Sequence, residues 1–322
     1  MTPKVCGARR GRSQRAVHIH QGIEMHGLAL IAVCLLIGVG LARSERLPDN
    51  FCAVLNLFAV RVALPALVLK HIHAIVFDAT LWLPLLTPWV VFALSAAAAQ
   101  LAGRFWGLRR DTIGCLTLVC GTGNTSIVGI PLVQAFIGVP AVGYAVVIDQ
   151  SNFVVMCTLG MVAASLYSED RPDGQRIVRQ MLGYRPLQML VLALLLRPIE
   201  FPMWLDQTLS VLGATLTPIA LISVGASLHW PRELGVVRNF LVGACIKLLM
   251  VPALVLLLWS QVSDLRDLAF TTSVLQAAMP PMIIAGLIAT ERRLDPPLTQ
   301  VLIGVGIPLS FLTTGLWLVL LH

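Results

Sequence analysis

Two long apolar stretches of the sequence are interrupted by residues that a membrane helix does not need. The first interruption, GTGNTSIVGIPL at 121–132, brings glycines, hydroxyl side chains, an amide and a proline together. The second, LQAAMPPMIIAGL at 275–287, contains two adjacent prolines. Because proline removes an amide donor and clashes with the preceding turn, both helices are predicted to break. Such breaks leave backbone amides and carbonyls without helical partners, and these groups are able to bind a ligand.

The polar residues and prolines of the two interruptions are the candidate binding residues. Irregular backbone at membrane depth is tolerated only where it is buried in protein or lines a cavity. Two breaks in corresponding helices are typical of a transporter substrate site, and the partial positive charge of helix amino termini suits a small anion. A packing kink is the alternative, since Gly and Pro are common in membrane helices. The candidate residues are Asn124, Thr125, Ser126, Pro131, Gln276, Pro280 and Pro281.

Charged and amide side chains within apolar stretches form a second candidate group. It contains Arg61, Asp149 and Lys247, with Gln150 and Asn152 close to the aspartate. A lone buried charge is costly, so Asp149 is expected to pair with Arg61 or with Lys247. Three roles remain open for the group: an ion pair between helices, a proton- or cation-coupling site, or a ligand for a substrate carboxylate.

The elements that carry these residues are predicted to be transmembrane helices. Of the 322 residues, 57% are hydrophobic and only 12% are charged, about half of the roughly 25% found in soluble domains. Apolar runs of about 20 residues recur along the chain, which is enough to cross a bilayer as helix. Hydropathy therefore predicts an all-α polytopic membrane protein with ten helices, at 26–43, 51–70, 81–102, 112–137, 140–165, 187–200, 204–228, 236–260, 267–290 and 298–321.

The ten predicted helices divide into two halves of five. A first repeat at 26–166 and a second at 187–322 flank a polar cytoplasmic linker at 167–186, and residues 1–25 form a basic leader predicted to be disordered. Because each half crosses the membrane an odd number of times, the second half is inserted upside down, which makes an inverted repeat. The interruptions then fall in helices 4 and 9, which are expected to cross at their breaks.

The two interruptions also match in their distance from an acidic residue. Counting thirteen residues from Asp111 reaches Asn124, and counting thirteen from Asp267 reaches Pro280. Pairing Pro131 with Pro280 instead shifts the register by about two turns. Both alignments leave the breaks near the middle of the membrane.

The distribution of charge predicts how the chain is oriented. Thirteen Lys or Arg residues lie in or beside the loops after odd-numbered helices, and three lie in or beside the loops after even-numbered ones. The positive-inside rule places the first set in the cytoplasm, so both termini lie outside the cytoplasmic membrane. The net charge of +7 includes the basic leader, which is absent if translation starts at Met25 and not at Met1.

Several stretches resemble the auxin efflux carrier family over residues 26–320. Bacterial members of that family are thought of as malonate or malate permeases, and plant members export auxin. The resemblance implies a ten-helix, two-repeat fold in which helices 1, 2, 6 and 7 form a scaffold and the others a transport domain. It also implies a substrate carboxylate near Asn124 and an elevator-like movement, whereas Arg61 departs from the family pattern. The stretches are GNTSIVGIPL (123–132), YAVVIDQSNFVVMCTLG (144–160), KLLMVP (247–252), LQAAMPPMIIAGLIATERRLDPPLTQ (275–300) and IPLSFLTTGLWLVL (307–320).

These observations predict a secondary transporter of a small organic anion, a carboxylate such as malonate or malate. The alternatives are a proton- or sodium-coupled carrier of another hydrophobic, auxin-like acid, or a channel. An enzyme is not expected, because the apolar stretches hold neither a serine with a mid-membrane histidine nor clustered metal ligands. We expect no metal, cofactor or nucleic acid; the expected partners are the anion, the lipid bilayer and, through the short sixth helix, a second copy in a homodimer.

Overall fold

The architecture is that of a helical protein with interrupted helices, seen in a computed structural model. Within the described part of the chain, every secondary-structure element is a helix and no strand is present, which confirms the predicted all-α class. The predicted leader, residues 1–25, lies outside the described residues, and so does most of the predicted linker. The described residues are 30, 32–43, 48, 50–74, 79–168, 175, 179, 182–183, 185–226, 236–265 and 267–321.

Thirteen helices are numbered here in chain order, with continuous helices kept whole across their π-helical turns. They are α1 (Ala32–Ala42), α2 (Phe51–Ile72), α3 (Trp82–Trp106), α4 (Arg110–Gly121), α5 (Thr125–Phe136), α6 (Val139–Tyr167), α7 (Arg185–Leu195), α8 (Met203–Ala226), α9 (Val237–Trp259), α10 (Leu268–Ala277), α11 (Ile283–Glu291), α12 (Pro296–Gly304) and α13 (Gly306–Leu321).

Five of these helices are individually long and apolar enough to cross a membrane: α2, α3, α6, α8 and α9. A sixth crossing is formed by α12 and α13 if the 47° bend between them lies within one span. The predicted intervals 112–137 and 267–290 each correspond to two shorter helices, α4 with α5 and α10 with α11. The count of ten crossings and the inverted repeat stay predictions.

Prolines explain three of the four π-helical turns, in which the backbone hydrogen bond skips one extra residue. The turns at Ala59–Ala63 in α2, Thr125–Gly129 in α5 and Ile246–Met250 in α9 each end two residues before a proline. A proline ring clashes with the carbonyl four residues earlier, and the wider turn relieves that clash. These turns therefore follow from the sequence, and they set the direction of the polar side chains that they contain.

Buried apolar side chains form two large clusters, here called the first and second core. The first core is built mainly from α3, α4, α9 and the carboxy-terminal half of α6. The second is built mainly from α2, α5, α8 and the amino-terminal half of α6. The three residues between α4 and α5 consequently lead the chain from one core into the other.

Helices α1 and α8 approach each other through glycines. A methyl group on Gly38 of α1 would lie 2.8 Å from the backbone nitrogen of Ala226 and 2.9 Å from the Cα of Gly225, both in α8. Small residues of this kind let membrane helices pack backbone to backbone. The close approach ties α1 to the second core.

We expect Gly38→Ala to lower the melting temperature of the detergent-solubilised protein, because α1 must move away from α8. The cost of such overpacking is about 1–3 kcal/mol. The matched control is Gly40→Ala on the same helix, since nothing lies within 4 Å of a methyl group there. Equal melting temperatures for the two variants, measured by thermal unfolding, would contradict the close approach.

Candidate functional site

The two predicted helix breaks are both present, and they touch each other. The backbone N–H of Asn124, between α4 and α5, donates to the carbonyl of Pro280, between α10 and α11, at 2.7 Å. Gly123 and Pro281 pair beside it as an isolated antiparallel bridge. Asn124 and Pro280 are also the two residues that are reached by counting thirteen positions from Asp111 and from Asp267. Main-chain groups that would form hydrogen bonds within a continuous helix thus form them with the backbone of the other break.

Asn152 of α6 fixes the shape of the first break. Its Nδ2 donates to the carbonyl of Gly123 at 2.9 Å, and its Oδ1 accepts from the N–H of the same residue at 3.3 Å. Nδ2 also lies 3.2 Å from the hydroxyl oxygen of Thr125. This side-chain amide replaces the helical partners of Gly123 and holds the backbone of the first break in place.

Asp149 lies one turn earlier on α6 and is 2% exposed. Its Oδ1 accepts a hydrogen bond of 2.6 Å from the hydroxyl of Thr125, and its Oδ2 accepts one of 3.3 Å from Nε2 of Gln150. In the described ranges, no group of three His, Cys, Asp or Glu side chains could hold a metal ion. The carboxylate thus connects the start of α5 to α6 through its hydrogen bond with Thr125.

The expected ion pair of Asp149 is absent from the structure. The ion pairs between described residues do not include Asp149, Arg61 or Lys247. Arg61 is exposed on α2, because the fully buried Ala59 and Ala63 on either side of it occupy the opposite face of the helix. Arg61 does not pair with Asp149 because the π-helical turn directs Arg61 away from both cores. Neutral donors take its place around Asp149.

Lys247 lies at the π-helical turn of α9 and points into the protein. Its side chain is 1% exposed, and its Nζ has no hydrogen-bond partner in the part of the chain that the structure describes. A methyl group on Gly123 would lie 3.5 Å from this Nζ, so the amine faces the break between α4 and α5. An amine buried in this way without a partner costs folding free energy. Such a cost is typical of groups that are kept for function.

Further polar atoms beside the breaks are also without partners among the described residues. They are Nδ2 of Asn124 and both Nε2 and Oε1 of Gln276, all buried. Each unmade hydrogen bond of a buried group costs about 1–3 kcal/mol. Together with Lys247, these atoms form a cluster of unused donors and acceptors around the contact between the two breaks.

A small cavity of about 10 Å³ lies beside this cluster; Lys247 and Gln276 line it, whereas Asn124 does not. Its lining includes four of the predicted residues, namely Thr125, Asn152, Lys247 and Gln276. A cavity of this size holds about one water molecule. Any larger ligand therefore requires the surrounding helices to move apart.

Three further predicted residues do not line the cavity. Ser126 is buried within the π-helical turn of α5, and Pro281 forms the bridge to the first break. Pro131 is buried about two turns beyond Asn124 and does not line the cavity. Its effect on the site is indirect, through the π-helical turn that precedes it.

Sequence reasoning missed Thr87 of α3, which lines the cavity from the opposite side. Its hydroxyl donates to the carbonyl of Leu83 at 2.7 Å and accepts from Nε1 of Trp259 at 3.1 Å. The following residue, Pro88, lies inside the helix and also lines the cavity. The signal was present in the sequence, since the pair Thr-Pro stands about two turns into the third predicted helix, 81–102.

Comparisons with known proteins show which family the chain belongs to. The sequence matches a family model described as "membrane transport protein" over residues 24–179 and 186–318. An uncharacterized transporter of Methanothermobacter thermautotrophicus is 25% identical over 296 residues, which cover 90% of this chain and 96% of the relative. An uncharacterized transporter of Methanocaldococcus jannaschii is 22% identical over 306 residues, covering 92% and 98%. The chain therefore belongs to this membrane transport protein family, the auxin efflux carrier family.

Proposed function

We propose that the protein is a secondary transporter that moves a small organic anion, a carboxylate such as malonate or malate, across the cytoplasmic membrane. The observation that carries the proposal is the buried Nζ of Lys247, which has no partner among the described residues and lies beside the contact of two broken helices. Broken helices near the middle of the membrane are the recurrent substrate sites of secondary transporters.

The chemistry of the cluster suits a carboxylate. Lys247 supplies a cationic donor, and Nδ2 of Asn124 and Nε2 of Gln276 supply neutral ones. Hydrogen bonds between an ammonium and a carboxylate are roughly twice as strong as those between neutral groups. Asp149 does not occupy the amine: its oxygens accept from Thr125 and Gln150, and the ion pairs between described residues do not include it.

The small volume of the cavity supports a mechanism with alternating access. A dicarboxylate is larger than the water-sized space of about 10 Å³, so binding and release require movement around the site. Two separate cores that meet near the breaks are suited to such movement, which we propose is elevator-like. The proposal includes ten crossings in two inverted halves, 26–166 and 187–322, and both termini outside.

The test is flux into proteoliposomes that contain the full chain, with malonate, malate, pyruvate or an indole-type acid as substrate. We expect saturable, electrogenic uptake of at least one carboxylate, with counterflow that a channel does not give. Imposed sodium and pH gradients identify the coupling ion in the same assay. Folded protein that transports none of these acids would contradict the proposal of an anion carrier.

Asn124→Ala is expected to weaken uptake without unfolding the protein. The variant loses a donor that has no partner between described residues, whereas its main-chain bond to Pro280 remains. Loss of one hydrogen bond to a charged group corresponds to about a tenfold increase in KM or more. The matched control is Asn239→Ala in α9, which also carries a buried atom without a partner but lies about two turns before Lys247. Unchanged KM in Asn124→Ala would remove this residue from the binding site.

A further inference from the structure

A groove with a volume of about 380 Å³ lies between α3 and α9, away from the helix breaks. The side chains that line it are all apolar, and they come from both helices. Several of them are exposed, including Leu101, Phe105 and Trp106. The most prominent lining residues are Ala97, Leu101 and Phe105 of α3 with Val242, Cys245 and Met250 of α9.

The sequence explains why this part of the surface is concave. Residues 96–99 of α3 are four consecutive alanines, and Ala97 and Ala98 contribute the floor of the groove. Larger side chains follow one and two turns later on the same face, at Leu101 and Phe105. Small residues beside large ones thus leave a channel along the helix that is open to the hydrocarbon.

Helices α3 and α9 run in opposite directions, so one end of the groove is basic. The rings of Trp82, at the start of α3, and Trp259, at the end of α9, lie 5.4 Å apart. The end of α3 therefore lies beside the start of α9. This end carries Arg104 and Arg238, both exposed, and Arg238 stands one turn before the lining residue Val242 on the same face.

The length of the groove matches one leaflet of a bilayer. Its lining on α3 runs from Leu94 to Trp106, and twelve steps of about 1.5 Å give roughly 18 Å. Half of a hydrocarbon core of about 30 Å is roughly 15 Å. Phe105 and Trp106 then fall near the headgroup level, where aromatic side chains of membrane proteins concentrate.

We propose that this groove binds one acyl chain of an anionic phospholipid, whose phosphate group contacts Arg104 and Arg238. The apolar channel accepts the chain, and the two arginines at its end supply charge complementary to the phosphate. The charge distribution of the loops predicts that this end faces the cytoplasm. Anionic lipids give the cytoplasmic leaflet its negative surface potential, which agrees with the placement of the arginines.

The test is native mass spectrometry of the full chain in detergent, titrated with phosphatidylglycerol or with phosphatidylcholine of identical acyl chains. We expect one phosphatidylglycerol to be retained with higher affinity than phosphatidylcholine. Arg104→Gln and Arg238→Gln should each weaken phosphatidylglycerol binding by about fivefold and leave phosphatidylcholine unchanged. Arg43→Gln, at an exposed arginine beyond α1, is the matched control.

A second pair of variants tests the channel itself. Ala97→Trp fills the groove and should weaken binding of both lipids by about tenfold or more. Ala93→Trp, at an exposed alanine one turn earlier that does not line the groove, should have no effect. If Ala97→Trp does not fold, the two arginine variants decide the question alone, because they leave the groove intact.

Three results would overturn the inference. Equal affinity of the wild type for the two lipids would remove the role of the arginines, and equal binding by the two tryptophan variants would remove the groove. A change in oligomeric state of Ala97→Trp, with lipid binding unchanged, would assign the groove to a second copy of the chain.

Discussion

Lys247→Met is expected to abolish carboxylate uptake and, at the same time, to raise the melting temperature of the protein. Methionine is unbranched, flexible and apolar, so it fills the space of the lysine stem. The variant removes a buried amine whose Nζ has no partner in the described structure, which should stabilise the fold by about 1–3 kcal/mol. Without the lysine, the substrate carboxylate would be buried without its cationic partner. Such a loss costs about 2–5 kcal/mol of substrate binding, or roughly 30-fold in affinity at the least.

The opposite signs of the two effects separate a binding role from a structural one. Uptake is measured in proteoliposomes and stability by thermal unfolding of the same preparation. Lys70→Met is the matched control, since Lys70 is partly exposed and forms an ion pair of 3.4 Å with Asp206 at the surface. Such pairs contribute about 0–1 kcal/mol, so the control should change little. Normal uptake by Lys247→Met would remove the lysine from the site, and a lower melting temperature would make it structural.

Asp149→Ala is expected to destabilise the protein by about 3 kcal/mol and to stop transport. The variant leaves a cavity and deprives the hydroxyl of Thr125 of its acceptor at 2.6 Å. The start of α5 is then no longer fastened to α6. Asp149→Asn keeps an acceptor oxygen and a side chain of nearly the same size, so it is expected to have a much smaller effect.

A double-mutant cycle measures the contact that this prediction depends on. Asp149→Ala and Thr125→Val each remove one partner of the hydrogen bond, and their combination should be less harmful than the sum of the two, by about 1–2 kcal/mol. Thermal unfolding in one detergent gives all four free energies. Additive losses would show that the contact does not stabilise the start of α5.

The position of the breaks was predictable because it depends on local chemistry. Glycine and proline interrupt helices wherever they occur in sufficient density. The count of thirteen residues from Asp111 and Asp267 aligned Asn124 with Pro280, but that these two residues are hydrogen-bonded is a finding of the structure. Thr125 and Gln276 come from the first candidate group and Asn152 and Lys247 from the second, and the structure places all four around one cavity, which the sequence did not predict. Their functional role stays a prediction.

The partners of the charged residues were not predictable from the sequence, because they depend on which way each side chain points. The π-helical turn of α2 directs Arg61 outward, although its depth in the predicted helix suggested burial. Asp149 is satisfied by a hydroxyl from α5 and an amide from its own helix. Hydropathy averages over a window, and it reports neither rotation about the helix axis nor contacts between distant segments.

The same averaging explains why hydropathy predicted one helix at each break where the structure has two. Predicted intervals such as 112–137 are apolar on average, so a hydropathy window passes over the polar interruption. In the structure, the interval is divided between α4 and α5, and neither piece alone is long enough to cross a membrane. The interruption is set by dihedral angles and hydrogen bonds, which do not enter a sum of residue hydropathies.

The joint between the two breaks consists of main-chain atoms: the N–H of Asn124 with the carbonyl of Pro280, and the bridge from Gly123 to Pro281. Main-chain pairing does not depend on which side chains stand at those positions. Under the proposed function, mutations that replace the amide of Asn124 or Gln276 are therefore expected to alter which substrate is recognised and to leave the joint in place. In a site built in this way, side chains that contact the substrate are able to change without loss of the fold. Related proteins that descend from one ancestor could then acquire new substrates through few substitutions.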